Sequence, residues 1–265
     1  MAITSLDGLI AANSQRLTYL KTASRTSVAA IPFSVFDLAG NPSAGALAIG
    51  NTTTGVVPTD AVAGYPTITS FGANLGYISN IQFGSSVACR MTIFDCLYSV
   101  GAIPFTAATT TLSSQPSYAS RVLGGTDFTN TEIWIEAVTA FTGNLSVAVT
   151  YTNQAGVTGR TTGTFGTGAA LIVGRMAMLP LQSGDTGVQK IESITPSVAT
   201  AGTFNVHVMR RLWQGRVRIN NDGDAHDFIK TGMPQIFDTS ALRFVIQSDS
   251  TATGIPEFQL EIVNG

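Results

Sequence analysis

Charge is what this 265-residue chain has least of. Asp, Glu, Lys and Arg make up only 11% of it, against roughly 25% in an ordinary soluble domain. Hydrophobic residues do not fill the gap, since their 44% share is ordinary. Thr, Ser, Gly, Ala and Asn stand in the place of the missing charges. The 14 basic and 16 acidic residues leave a formal net charge of −2, so no global field gathers nucleic acid or anionic lipid. Few surface charges also mean little colloidal repulsion. Such a composition suits a subunit whose surface is largely covered by neighbours.

Other absences narrow the reading further. No apolar run approaches the roughly 20 residues of a membrane-spanning helix; the best, "GAALIVGRMAMLPL", is cut by Arg175. The opening "MAITSLDGLIAANSQRL" lacks both the basic and the apolar stretch of a secretory signal, and none is expected. The two cysteines, Cys89 and Cys96, are an odd number of residues apart. On one strand they would point to opposite faces about 23 Å apart, which excludes a disulfide between them and predicts two buried free thiols. With only two histidines, catalytic options are few, and spacing alone assembles no Ser-His-Asp or Cys-His set.

What is present is mostly strand. "LSVAVTYTNQAGVTGRTTGTF" (145–165) puts Leu145, Val147, Val149 and Tyr151 on one face and Ser146, Ala148, Thr150 and Thr152 on the other, then breaks at residues 153–156. Threonine is β-branched and polar without charge, and so suits the outer face of a strand. "TEIWIEAVTAF", "TFNVHVM", "GRVRIN", "LRFVIQS" and "EFQLEIVNG" continue the alternation. Strands at short intervals with turn signals between them predict an all-β sandwich or jelly-roll core over residues 28–265. The stretch "PFTAATTTLSSQPSYASR" (104–121) reads as a long loop, or as the division between two β domains. The first 27 residues differ. Leu6, Leu9, Ile10, Leu17 and Leu20 fall at helical spacing, with Ser5 placed to cap, and predict over 5–22 an amphipathic helix or a partly helical arm. The arm either packs on its own domain or reaches a neighbouring subunit.

Several local clusters carry candidate chemistry. "GDTG" (184–187) contains the Asp-Thr-Gly of aspartic proteases, but it lacks the preceding apolar strand and a second copy, so a turn is expected. The Gly-rich "TGTFGTGAALIVG" (162–174) has Leu171 where a dinucleotide fingerprint needs its third Gly, which leaves a loop. In "NNDGDAHD" (220–227), Asp222, Asp224 and Asp227 offer oxygen ligands, but Gly223 and Met233 miss the EF-hand positions. An acidic turn with His226 in it is expected, and no metal. Asn51 and Asn144 begin N-x-[ST] sequons of the number chance supplies. "MRRLWQGRVRI" (209–219) concentrates Arg210, Arg211, Arg216 and Arg218 around Trp213, with Arg216 and Arg218 on one strand face opposite Val217. Arg and Trp together are the anchors of protein interfaces. That reading is preferred to a solvated face, and the acidic balance of the chain sets nucleic acid last.

A helical arm before charge-poor β sequence, followed by residues 124–163 and by "TGMPQIFDTSALRFVIQSDSTATGIPEFQLEIVNG" (231–265), resembles structural proteins of tailed-bacteriophage virions. The resemblance is to β-sandwich proteins that decorate or cement capsids. It implies a non-enzymatic subunit without cofactor, located in the virion. Its partners would be the major capsid protein or other virion proteins and further copies of itself, a trimer among the states such proteins adopt. The expected interface residues are Leu6, Leu9, Ile10 and Leu17 of the arm, with Arg210, Arg211, Trp213 and Arg216. Two other readings stay open: a tail or head–tail connector component, and a receptor- or glycan-binding β module using loop aromatics such as Tyr65, Tyr77 and Tyr118.

Overall fold

The computed structural model describes residues 3–106, 108–144, 146–166, 170–196 and 201–265. The fold is all-β, built of antiparallel strands with two short helices among the described residues. The chain divides into two compact units. The first comprises Met1–Gly45, Thr59–Asp95 and Leu212–Gly265; the second comprises Ala46–Pro58 and Cys96–Arg211. Residues 104–121 therefore lie inside the second unit, not at a boundary. The long strands Cys89–Pro104 and Thr203–Val217 each give part of their length to one unit and part to the other.

In the first unit one sheet runs in the order Asp222–His226, Gly76–Ser85, Pro256–Asn264, Asn13–Lys21, Gly40–Asn41. The facing strands are residues 212–217, residues 89–95, Leu242–Ser248 and Phe33–Ser34. Alternate positions of both sheets meet in one core. Tyr19, Ile78, Ile81, Phe83, Phe258, Leu260 and Ile262 come from the first sheet, and Met91, Ile93, Trp213, Val217, Phe244 and Ile246 from the second. Aromatic rings tie the layers. Tyr19 stacks on Phe244 with centroids 3.9 Å apart, Phe244 meets Phe258 at 4.5 Å, and Phe83 meets Trp213 edge-on at 4.7 Å.

Of the two readings of residues 5–22, the continuous helix is corrected and the arm is only partly helical. Ser5 does cap a helix, accepting from the Gly8 amide at 3.0 Å, but that helix ends at Ala11. Asn13–Lys21 is a strand pairing with the C-terminal strand from Asn13↔Asn264 to Leu20↔Glu257. Its inward positions are Gln15, Leu17, Tyr19 and Lys21, a period of two, with Tyr19 and Lys21 fully buried. Leu20, read as part of a helical stripe, points outward. The leucine spacing is helical, and pairing with the C-terminal strand overrode it, because a strand's preference is set by its neighbours.

In the second unit the strand Ser146–Asn153 pairs with Val188–Pro196 on one side and with Arg160–Thr161 on the other. Val147, Val149 and Tyr151 are fully buried, as the alternation predicts; Leu145 lies outside the described residues. The chain reverses after Asn153, whose side chain accepts from the amides of Ala155 and Val157 at 3.0 Å. Thr150 then sits opposite Thr161. The predicted loop at 104–121 is tied to the same sheet by Thr110–Thr111 and by the Tyr118 hydroxyl, which donates to the Val188 carbonyl at 2.8 Å. Both cysteines are free and buried.

Candidate functional site

Strand Thr131–Thr139 lies between Met176–Leu179 and Thr203–Val217, paired Ile133↔Val208, Ile135↔Val206 and Ala137↔Phe204. These residues make an apolar face and are fully buried. The opposite face should then be polar and wet. It is polar but equally buried: Glu136, His207 and Asn205 are all 0–1% exposed. The Ser99 hydroxyl lies 2.7 Å from His207 Nδ1, and His207 Nε2 lies 3.2 Å from Glu136 Oε2. Cys96 Sγ is 3.2 Å from the Ser99 hydroxyl. A serine, a histidine and a carboxylate in line have the composition of a hydrolytic triad. The ring, however, is turned the other way from that arrangement, in which the carboxylate holds Nδ1 and the nucleophile meets Nε2. Ser99 is 2% exposed, so no scissile bond reaches it in this conformation, and a nucleophile needs its reacting atom about 3 Å away. A buried polar array of this kind fixes one register of the strands that carry it.

The segment Ala46–Pro58 covers part of this unit and is held through its own main-chain carbonyls. Asn205 Nδ2 donates to Leu47 O at 2.7 Å, the Tyr98 hydroxyl to Thr54 O at 2.8 Å, and the Ser113 amide to Thr53 O at 2.9 Å. The buried Arg121 guanidinium donates to Pro58 O and to Cys96 O. Asn51 folds the segment on itself, its side-chain oxygen accepting from the amides of Thr53, Thr54 and Gly55 at 3.0–3.2 Å.

The Asp-Thr-Gly sequence forms a turn, and Asp185 is its hub. Its carboxylate accepts from Asn153 Nδ2 at 2.7 Å, the Tyr151 hydroxyl at 2.8 Å and Arg160 Nε at 2.9 Å, with its side chain only 3% exposed. Hydrogen bonding from Arg160, assisted by Asn153 and Tyr151, pulls its pKa down to about 2. Tyr151 is pushed up to about 12, chiefly by burial, and its oxygen in turn accepts from the Gln182 amide at 2.8 Å. Gly187 is glycine for a packing reason, since a Cβ there would sit 1.8 Å from the Phe128 carbonyl oxygen.

The residues expected at an interface fall in different settings. Leu6 and Ile10 are 58% and 75% exposed on a helix without a buried residue. Leu9 is half-buried, and Leu17 is half-buried against the core of the first unit. Arg210 is buried, while Arg211 is exposed and paired with Glu132 at 2.8 Å. Trp213 is buried within its own unit, its indole donating to His226 Nδ1 at 3.0 Å. Arg216 is exposed and meets Asp249 at 2.7 Å. The expected acidic turn at 222–227 is instead the edge strand Asp222–His226, followed by a helix that Asp227 caps by accepting from the Lys230 amide. A partner strand, Gly76–Ser85, turned this polar run into a ladder. Of the loop aromatics, Tyr65 and Tyr118 are buried and Tyr77 is half-buried, so Tyr65 and Tyr118 present no ring for a sugar. Gly168 of the Gly-rich stretch lies outside the described residues. Among the described residues no group of three or more His, Cys, Asp or Glu could hold a metal ion.

No protein-family model matches the chain, and no curated protein matches it in sequence. Among solved structures it is similar to a chain in the structure of the infectious bursal disease virus Gx strain. That match has 11% identity over 95% of this chain and 81% of that one, with a TM-score of 0.18. A chain in the crystal structure of the VP2 subviral particle of the same virus matches at 9% identity over 95% and 80%, with a TM-score of 0.17. A chain of the T13 particle of that virus matches at 9% over 96% and 77%, with a TM-score of 0.18. At such scores the likeness carries no argument.

Proposed function

We propose that the chain is a structural subunit of a virus particle. Within that class we read it as a capsid decoration or cement protein of the tailed-bacteriophage kind, acting as an oligomer and performing no chemistry. The observation that carries this reading is the N-terminal helix, which presents Leu6 and Ile10 to solvent and has no fully buried residue. Apolar side chains held that way are stabilised when another protein surface covers them. The charge-poor, threonine-rich strands agree with it, because neutral polar faces dock at low desolvation cost. A subunit repeated on a lattice makes several modest contacts at once, and their combined affinity far exceeds that of one.

The test uses particles with and without the chain. Particles lacking it should rupture at lower temperature, and adding back the purified protein should restore them. Equal robustness together with loss of attachment to cells would replace the stabilising role with receptor binding. Equal robustness together with failure of heads and tails to join would move the subunit to the tail or connector.

A further inference from the structure

The first unit carries a groove of about 910 Å³, toward the upper end of the roughly 300–1,000 Å³ that ligand clefts occupy. Arg90, Arg216 and Arg218 line it from one sheet, and Asp222 and Asp224 line it from the other. All five residues are exposed. Arg216 lies in the strand Thr203–Val217 and Arg218 just beyond its end, while Asp222 and Asp224 lie in the strand Asp222–His226.

The lining carries both signs, three guanidiniums and two carboxylates, yet no ion pair joins the two sets among the described residues. Arg216 reaches Asp249 instead, with both side chains more than half exposed. Arg90 donates to Gln247 at 3.0 Å, and Asp224 has His226 of its own strand at 3.6 Å. An exposed pair such as Arg216–Asp249 contributes little and exchanges readily. A purely anionic ligand is drawn to the arginines and repelled by the aspartates, and a purely cationic one meets the reverse. A ligand of both signs is favoured by both sets at once. One small zwitterion would engage a single charge of each set, whereas here the charges come in pairs. Arg216 and Arg218 are two residues apart, and so are Asp222 and Asp224. In extended chain that separation is about 7 Å. It is also the spacing of side chains on one face of any β-strand, whose successive residues face opposite ways.

We propose that the groove binds an extended peptide segment of another protein in which acidic and basic residues alternate. The acidic side chains of that segment, on one of its faces, meet Arg216 and Arg218, with Arg90 beside them. Its basic side chains, on the opposite face, meet Asp222 and Asp224. The site is a property of the chain itself and does not depend on its place in a particle.

The test is fluorescence anisotropy of labelled synthetic peptides titrated with the purified full chain at low and high salt. The probes are an octapeptide of alternating Glu and Lys, one of the same composition with four Glu followed by four Lys, and octapeptides of Glu alone and of Lys alone. The alternating peptide should bind most tightly, and more weakly at high salt. Arg216→Glu with Arg218→Glu should weaken its binding by about tenfold, and so should Asp222→Lys with Asp224→Lys. A chain carrying all four changes should bind it again, because the exchanged signs accept the same strand turned over. Circular dichroism checks the fold of each variant, and the single exposed changes Arg218→Glu and Asp222→Lys make the same comparison if a double change disturbs it. Absence of binding at about 1 mM protein would overturn the proposal. So would a blocked, all-Glu or all-Lys peptide that binds as well as the alternating one, or double variants that bind like wild type. Titration of purified protein involves no virus, so its failure is separate from a failure of the particle-stability test.

Discussion

Asp185→Asn isolates one buried charge, and its cost follows from the geometry. In the folded chain the carboxylate takes three side-chain donors, from Asn153, Tyr151 and Arg160. Its pKa is about 2, against the ordinary 3.8. That depression corresponds to about 2 kcal/mol of stability. Because the folded value is the lower one, the contribution is complete above pH 4 and is lost as pH falls through 2. An asparagine at this position keeps one acceptor but turns an amide donor toward groups that are themselves donors, which costs about 1 kcal/mol more. The substitution should therefore destabilise the second unit by about 3 kcal/mol at neutral pH. The gap between wild type and variant should shrink by roughly 1 kcal/mol near pH 3. The chain has two tryptophans, Trp134 in the second unit and Trp213 in the first. Urea titrations followed by Trp134 fluorescence in a Trp213→Phe background read the right unit. A gap of the same size at pH 7 and pH 3 would refute the argument, because it would mean that the ionised carboxylate is not what the three donors stabilise.

Removing residues 1–12 should leave the melting temperature unchanged and weaken association or particle binding, whereas removal through residue 22 should unfold the first unit, since it takes away the strand Asn13–Lys21 with its buried Tyr19. A serine-directed fluorophosphonate should leave native Ser99 unlabelled, and mass-spectrometric detection of an adduct there would show the buried array to be accessible. Asn51→Ala should cost about 2 kcal/mol in urea denaturation, because three backbone amides lose their acceptor together. Burial holds Lys21 down at about 8 from its ordinary 10.5; in that interval the unfolded chain binds the extra proton, so wild type should gain stability relative to Lys21→Met as pH rises from 8 to 10.5.

Period-two alternation made the fold class legible, and it placed the inward face of Ser146–Asn153 without a structure. It failed where both faces of a strand are buried. In Thr131–Thr139 the isoleucines looked inward and Glu136 looked outward, yet Glu136 is as buried as they are. Its partner His207 is 71 residues away, a distance no local pattern spans. The acidic run at 222–227 has turn composition, and only pairing with Gly76–Ser85 makes most of it a strand. The arginine-rich segment was visible as a cluster, but strand alternation sends Trp213 into the core and Arg216 outward. The role of Asp185 left one trace in the sequence: Tyr151, Asn153 and Arg160 all lie within one predicted hairpin, where a carboxylate from elsewhere can collect them.

Copy number in purified particles, measured by quantitative mass spectrometry against the major capsid protein, bears most directly on the proposed role. A decoration protein that works as a repeating oligomer should be present in a fixed, lattice-scale ratio to the capsid subunit, and the same ratio should return when stripped particles are incubated with purified chain. A handful of copies per particle would place it at a single vertex or in the tail. Its absence from intact particles would contradict a structural role in the virion.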